Sequence, residues 1–210
     1  MIIAIDGPSA SGKGTLAKML ADHFEFPCLN TGALYRAVAY DVVRSCLDPH
    51  DFDDKIEYLT QNITQEDLEN EELFSENTGA VASIIAKNQR LRDALFQFQK
   101  DFVRRSEEED GGVVIEGRDT TTVICPDADF KFFVKADVEI RAKRRFEQLQ
   151  KKGDDVAYEK ILEQLKKRDE NDFNRKNSPL KIADGAVVID NGKLSIDEGF
   201  KLALESIDKV

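Results

Sequence analysis

Gly7-Pro8-Ser9-Ala10-Ser11-Gly12-Lys13-Gly14-Thr15 has the spacing GxxxxGK. It follows an apolar run of strand length, Ile2-Ile3-Ala4-Ile5, closed by Asp6. It precedes Leu16, Met19, Leu20 and Phe24, which repeat at helical spacing. Strand, small-residue loop and helix in that order make a phosphate cradle. The backbone N–H groups of such a loop converge on an anion, and the helix adds the positive end of its dipole. Glycines let phosphates approach the backbone closely. Lys13 adds a point charge for the β- and γ-phosphates of ATP. Phosphoryl transfer needs charge neutralisation and positioning more than covalent help, so the loop supplies the donor side of a Mg·ATP-dependent kinase.

One departure bears on the metal. A hydroxyl residue usually follows the lysine directly, but Gly14 stands there and the hydroxyl comes at Thr15. Either Thr15 contacts phosphate or Mg²⁺ indirectly, or water does more of the metal ligation. Glu116 ends the β-branched run Val113-Val114-Ile115. It either orients Mg²⁺ waters or caps the next turn.

Outward from the loop, Phe26–Leu29 reads as a second short strand. Asn30-Thr31-Gly32 reads as a turn, with Thr31 as N-cap of a helix through Tyr35, Val38 and Val42. Residues 48–79 form a polar surface excursion with weak helix. Ala80–Arg105 is a long amphipathic pattern with a break at Asn88. Strands are expected at Val113–Ile115, Phe130–Val134 and Ala186–Ile189. Helices are expected at Val138–Lys152, Tyr158–Asp172 and Ile196–Ile207. Five short strands alternating with helices predict an α/β fold, a five-stranded parallel sheet with helices on both faces. Right-handed crossovers place the strand carboxyl ends on one edge, where segments 6–15, 30–36 and 116–119 are expected to converge.

The chain has 210 residues, enough for one body with small inserted lobes. Its net charge of −11 disfavours a nucleic-acid polymer as partner. Apolar runs are too short to span a membrane, and Met1–Asp6 lacks the character of a secretion signal, so a cytoplasmic location is expected. Cys28, Cys46 and Cys125 form no CxxC pair and read as reduced packing residues. His23 and His50 have no second histidine at metal spacing. Arginine is dense in Arg141-Ala142-Lys143-Arg144-Arg145 and from Arg168 to Arg175. Such islands in an acidic chain suggest a compact anion site. Lys143 and Lys151 read instead as solvated, and Arg144 and Arg145 either cover ATP or lie on a solvated face.

Four segments together resemble the bacterial cytidylate kinase family of P-loop nucleoside monophosphate kinases. They are the loop at 7–15, Asn30-Thr31-Gly32-Ala33-Leu34-Tyr35-Arg36, Glu116-Gly117-Arg118-Asp119, and Arg168-Asp169 followed by Asp172 and Arg175. The likeness covers most of the chain. It implies transfer of the ATP γ-phosphoryl group to CMP or dCMP, by a monomer with Mg²⁺. It also implies a core of residues 1–31, 112–147 and 179–210, an acceptor-binding lobe at 32–111 and a helical lid at 148–178.

The resemblance also assigns roles. Arg36 and Arg118 would hold the acceptor phosphate, which a guanidinium fork matches. Ser83, Arg92 and Asp119 would read the cytosine edge, the carboxylate accepting from the exocyclic amine. Thr31 stands where the family has serine. Arg168 and Asp172 would reach the acceptor's ribose and phosphate region, and Arg175 the transferring group. Asn171 and Phe173 stand where many members carry arginine, Phe74 where a basic residue is common, and 62–78 is too short and polar for the small sheet many members insert. A UMP or AMP acceptor, or a non-catalytic nucleotide-binding module, are the alternative readings. Asp119 with Arg92 argues for cytosine.

Overall fold

The computed structural model describes residues 1–61, 63–153 and 156–208. Its strands are β1 (Ile2–Asp6), β2 (Cys28–Asn30), β3 (Val113–Gly117), β4 (Phe130–Lys135) and β5 (Val187–Asp190). They form one sheet in the order β2-β3-β1-β4-β5. β1 pairs in parallel with β3 and with β4, and β4 with β5. Alternate residues Ile3, Ile5, Val114, Phe132, Val134 and Ile189 pack against Leu16 and Leu20 of α1 (Lys13–Phe24) and Ala203 and Ile207 of α9 (Ile196–Ile207). The intervening Ala4, Val113, Ile115 and Phe133 are buried as well. Both faces are therefore covered, as the continuous apolar runs require.

The register puts Asp6 beside Gly117 on one side and Phe133 on the other. The loop after β1 thus emerges between two strand ends, where an open parallel sheet holds its ligand.

The chain divides into two compact units, Met1–Leu29 with Ser106–Val210, and Asn30–Arg105. The first holds the sheet, α1, α9, α7 (Val138–Lys152) and α8 (Tyr158–Asn174). The second is built on α2 (Thr31–Arg44), with α3 (Ile56–Gln61), α4 (Gln65–Glu69), α5 (Glu76–Ile85) and most of α6 (Gln89–Asp110). Its described residues after Asn30 contain no strand, only an isolated bridge between Asp48 and Asp51. The expected break at Asn88 lies between α5 and α6, where Asn88 Oδ1 accepts from Leu91 N at 3.2 Å.

Three local expectations are corrected. Thr31 is not the N-cap of α2. Asn30 is, in extended backbone with its Oδ1 accepting from Ala33 N at 3.1 Å. Asn is the better N-cap of the two, and β2 carries the extended conformation one residue further than expected. Residues 30–32 are therefore strand end and helix start, not a turn. The second strand begins at Cys28 rather than Phe26, because Pro27 has no N–H to donate and Phe26 N bonds back to Ala21 O at 3.0 Å at the end of α1.

Candidate active site

The loop 7–12 is held from three sides. Gly12 has φ 92°, and a Cβ there would stand 2.6 Å from Asn191 Nδ2, so only glycine fits. Asn191, just beyond β5 and 4 % exposed, donates through Nδ2 to Ser11 O at 3.0 Å. Arg141 Nη1 donates to Ser9 O at 3.0 Å. Gly7 passes so close to β4 that a Cβ would meet Val134 O at 2.1 Å. Ser11 Oγ is buried without a hydrogen-bond partner among the described residues, which suits a phosphate oxygen.

Lys13 is only 8 % exposed. Its Nζ lies 3.4 Å from Glu116 Oε2 on β3. Burial pulls its ammonium down to about 8, Arg118 pushes the same way, and Glu116 opposes. Thr15 is exposed on α1.

Asp6 organises the segment after β3. Its carboxylate accepts from Thr120 N at 2.9 Å and Oγ1 at 2.7 Å, and from Thr121 N at 2.8 Å and Oγ1 at 2.6 Å. These bonds anchor a π-helical turn, Thr120–Ile124, directly behind Arg118-Asp119. Burial still pushes the Asp6 carboxyl above its ordinary value.

The helix α8 brings its charged residues to that segment. Arg118 Nε donates to Asp172 Oδ2 at 2.8 Å. Arg175 Nη2 lies 3.6 Å from Asp119 Oδ2, and its Nε donates to Ser178 O at 2.6 Å. Arg168 Nε is buried without a hydrogen-bond partner among the described residues. Burial first, and Arg118 second, pull Arg168 down to about 10, so it remains charged at pH 7. Burial works to raise Asp172, but Arg118 and then Arg168 hold it below the ordinary carboxylate value. Lys13, Glu116, Arg118, Asp119, Arg168, Asp172 and Arg175 thus share the first unit.

Four other candidates lie in the second unit. Thr31 and Arg36 stand on α2, Ser83 on α5 and Arg92 on α6. Arg36 Nη1 donates to Leu73 O at 2.7 Å, and its guanidinium stacks over the Phe74 ring, 5.5 Å from the centroid. Phe74 thereby gives the arginine an aromatic seat in place of a like charge. Gly79 leaves room for Arg36 Nη2, 2.9 Å from where a Cβ would stand. Ser83 Oγ donates to Gly79 O at 3.0 Å, one turn along α5 from that seat. Arg92 Nη1 reaches Ala86 O at 3.5 Å, whereas its neighbour Arg90 pairs with Asp53 at 3.4 Å.

Asp6, Asn191 and Arg141 hold this site together without a signature in the sequence. No local pattern marks the first two. Arg141 sat inside a basic run that reads as a solvated face or a general anion site.

A buried P-loop lysine at the carboxyl edge of a five-stranded parallel sheet, with arginines on neighbouring segments, defines a P-loop phosphotransferase. Comparison with known proteins narrows the class. The cytidylate kinase family model matches residues 3–209. A cytidylate kinase of Methylocella silvestris is 45 % identical over 211 residues, covering 99 % of this chain and 94 % of its own. Those of Bartonella bacilliformis and Rhodopseudomonas palustris are 43 % and 42 % identical, covering 99 % and 100 % of this chain and 94 % and 97 % of theirs. The chain belongs to the cytidylate kinase family, and it is an ATP-dependent nucleoside monophosphate kinase. Among solved structures, an uncharacterised protein of Eubacterium ventriosum matches with TM-score 0.58 at 20 % identity, covering 100 % of this chain and 99 % of its own. A Thermus thermophilus protein matches at 0.53 and 18 %, covering 100 % and 96 %. At these identities the likeness is one of fold. Among the described residues no helix is long and apolar enough to cross a membrane.

Proposed function

We propose that this chain moves the γ-phosphoryl group of ATP onto the phosphate of CMP or dCMP, with the following division of labour. The observation that carries it is the gathering, in one unit, of the buried Lys13 with Arg118, Arg168 and Arg175 and their carboxylate partners. Gly7 to Thr15 bind the ATP phosphates through backbone N–H groups and Lys13. Arg36 and Arg118 bind the acceptor phosphate. Ser83, Arg92 and Asp119 read cytosine, and Thr31 lines the acceptor side. Arg168 and Asp172, on α8, and Arg175, directly after it, act on the acceptor and the transferring group. The attacking phosphate oxygen is already ionised at pH 7, so no general base is required. The cations stabilise charge that spreads over the transferring oxygens.

The donor set near Lys13 fits a divalent ion held largely by phosphates and water. Among the described residues no group of three His, Cys, Asp or Glu side chains is arranged to cage a metal. Glu116 and Thr15 remain as one carboxylate and one hydroxyl, the sparse protein share that Mg²⁺ accepts. They would hold it, in part through water, and the ion would neutralise charge on the β- and γ-phosphates.

Residues 148–178 act as the lid, of which 154 and 155 lie outside the described residues. Residues 32–111 form the acceptor lobe, and 1–31, 112–147 and 179–210 the core. Closure of the lid excludes water that would otherwise hydrolyse ATP. The enzyme works as a monomer in the cytoplasm, where its two nucleotide substrates are held, without a nucleic-acid polymer or a membrane as partner.

Steady-state kinetics of Arg36→Met and Arg118→Met test the acceptor assignment. Each is expected to raise KM for CMP about tenfold or more while KM for ATP stays within about threefold. Unchanged KM for CMP in both variants would refute it.

A further inference from the structure

Arg141 joins three segments that the sequence keeps far apart. It lies near the start of α7 and is only 4 % exposed. Its Nε donates to Ala136 O at 2.8 Å, in the turn between β4 and α7. Its Nη1 donates to Ser9 O in the phosphate loop at 3.0 Å and to Asp169 Oδ1 at 3.1 Å. Its Nη2 donates to Asp169 Oδ2 at 2.5 Å. Asp169 sits on α8 directly after Arg168 and one turn before Asp172. One rigid guanidinium plane therefore fixes the ATP-phosphate loop and the charged helix at the same time.

A guanidinium fork cannot follow one partner without losing another, because its donors are set in a plane. A shift of α8 relative to the loop must break the Asp169 pair or draw Ser9 with it. Of the groups beside Asp169, Arg168 lies near enough to lower the Lys13 ammonium, and Asp172 accepts from Arg118 Nε at 2.8 Å. We infer that Arg141, through Asp169, is a positioning residue that holds α8 in register with the phosphate loop, so that Arg168 and Asp172 stand correctly when the phosphoryl group transfers. The inference rests on the phosphate-handling role given above to α8. Arg141 touches neither substrate in this reading and acts through the two segments it clasps.

Such a residue affects the transfer step more than binding, since a misplacement of about 1 Å costs up to about 100-fold in rate. Arg141→Lys keeps the charge but loses the fork. Asp169→Asn keeps the shape and one acceptor, and leaves the bonds of Arg141 to Ala136 and Ser9 intact. Lys166→Ala is the control. Lys166 pairs with Glu139 at 3.5 Å between the same two helices, both side chains being more than half exposed.

The test is steady-state kinetics with ATP and CMP on folded protein, checked by circular dichroism and thermal melting. Arg141→Lys and Asp169→Asn are expected to lower kcat about 10- to 100-fold, with both KM values within about threefold. The double variant is expected to be no slower than the slower single, because both remove one clasp. Lys166→Ala is expected to keep its kcat. A purely structural role would lower the melting temperature and leave kcat of the folded enzyme unchanged, and that result overturns the inference. Multiplying effects in the double variant overturn it too. If Arg141→Lys does not fold, Asp169→Asn carries the test alone. Arg168→Met, measured alongside, separates the two readings. A slow Arg168→Met with normal Arg141→Lys and Asp169→Asn refutes the clasp only, whereas a normal Arg168→Met refutes the role of α8 and the clasp with it.

Discussion

Arg118 Nε donates to Asp172 Oδ2 at 2.8 Å, joining the end of β3 to α8 across 54 positions of sequence. The pair is largely buried, at 15 % and 17 % side-chain exposure. Burial acts to lower Arg118, but Asp172, and after it Glu116 and Asp6, raise it above its ordinary value. A buried charge with a matched partner is costly to leave alone.

Asp172→Asn is therefore expected to lose about 2 kcal/mol of stability at pH 7, the scale of a hydrogen bond to a charged group. The folded carboxyl lies below its ordinary value of 3.8, so its stabilisation is full above about pH 4 and is lost as pH falls further. Urea unfolding at pH 7 and pH 3 checks this. The gap between wild type and variant should shrink at the lower pH, and a gap independent of pH contradicts the account.

Lys13 predicts a pH limb in the kinetics. In the free enzyme its ammonium is pulled down to about 8 by burial, with Arg118 adding to the effect. The cradle loses positive charge as pH rises through that value, so kcat/KM for ATP should fall above about pH 8. Bound phosphates favour the charged form, so kcat should hold to higher pH. Lys13→Ala should lower kcat about 1,000-fold and abolish the limb. A pH profile of both parameters tests it, and a Lys13→Ala variant of near-normal turnover contradicts the mechanism.

Asp6→Ala strands the buried N–H groups of Thr120 and Thr121. Leaving such donors unpaired costs about 1–3 kcal/mol each, so a total loss of about 3 kcal/mol is expected. Denaturant titration measures it. Asp6→Asn should fall between, since the amide accepts through one oxygen but presents its NH₂ to the remaining donors. A fully stable Asp6→Ala would show that the carboxylate does not hold the π-helical turn.

Asp119→Asn addresses base choice. A carboxylate accepts from the cytosine amine, whereas an amide also donates to the uracil carbonyl. The CMP-to-UMP ratio of kcat/KM should shrink by about 10- to 100-fold, the worth of one good base-edge contact. The ratio is the readout, because Arg175 lies 3.6 Å from Asp119 and its disturbance would slow both substrates alike. An unchanged ratio removes Asp119 from base reading.

How legible the molecule was in its sequence depended on distance along the chain. The strand, loop and helix at 2–24 are local, and their spacing alone predicts them. The later strands show as continuous apolar runs because the sheet is buried on both faces. The start of α2 misled, since Asn30 and Thr31 are both good caps and only the backbone of Asn30 decides between them. Asp6 carried no signal, because its four donors lie 114 and 115 positions away. Arg141 was hidden for a related reason. A buried arginine in a basic helix has the same sequence appearance as a solvated one until Ser9 and Asp169 are brought beside it.

Every residue role proposed for the site depends on phosphorylation of a cytosine nucleotide. A coupled assay with Mg·ATP and a panel of CMP, dCMP, UMP and AMP measures that activity. kcat/KM for CMP or dCMP is expected to stand at least about tenfold above that for UMP and AMP. A preference for UMP or AMP, or ATP binding with no acceptor turnover, would contradict it.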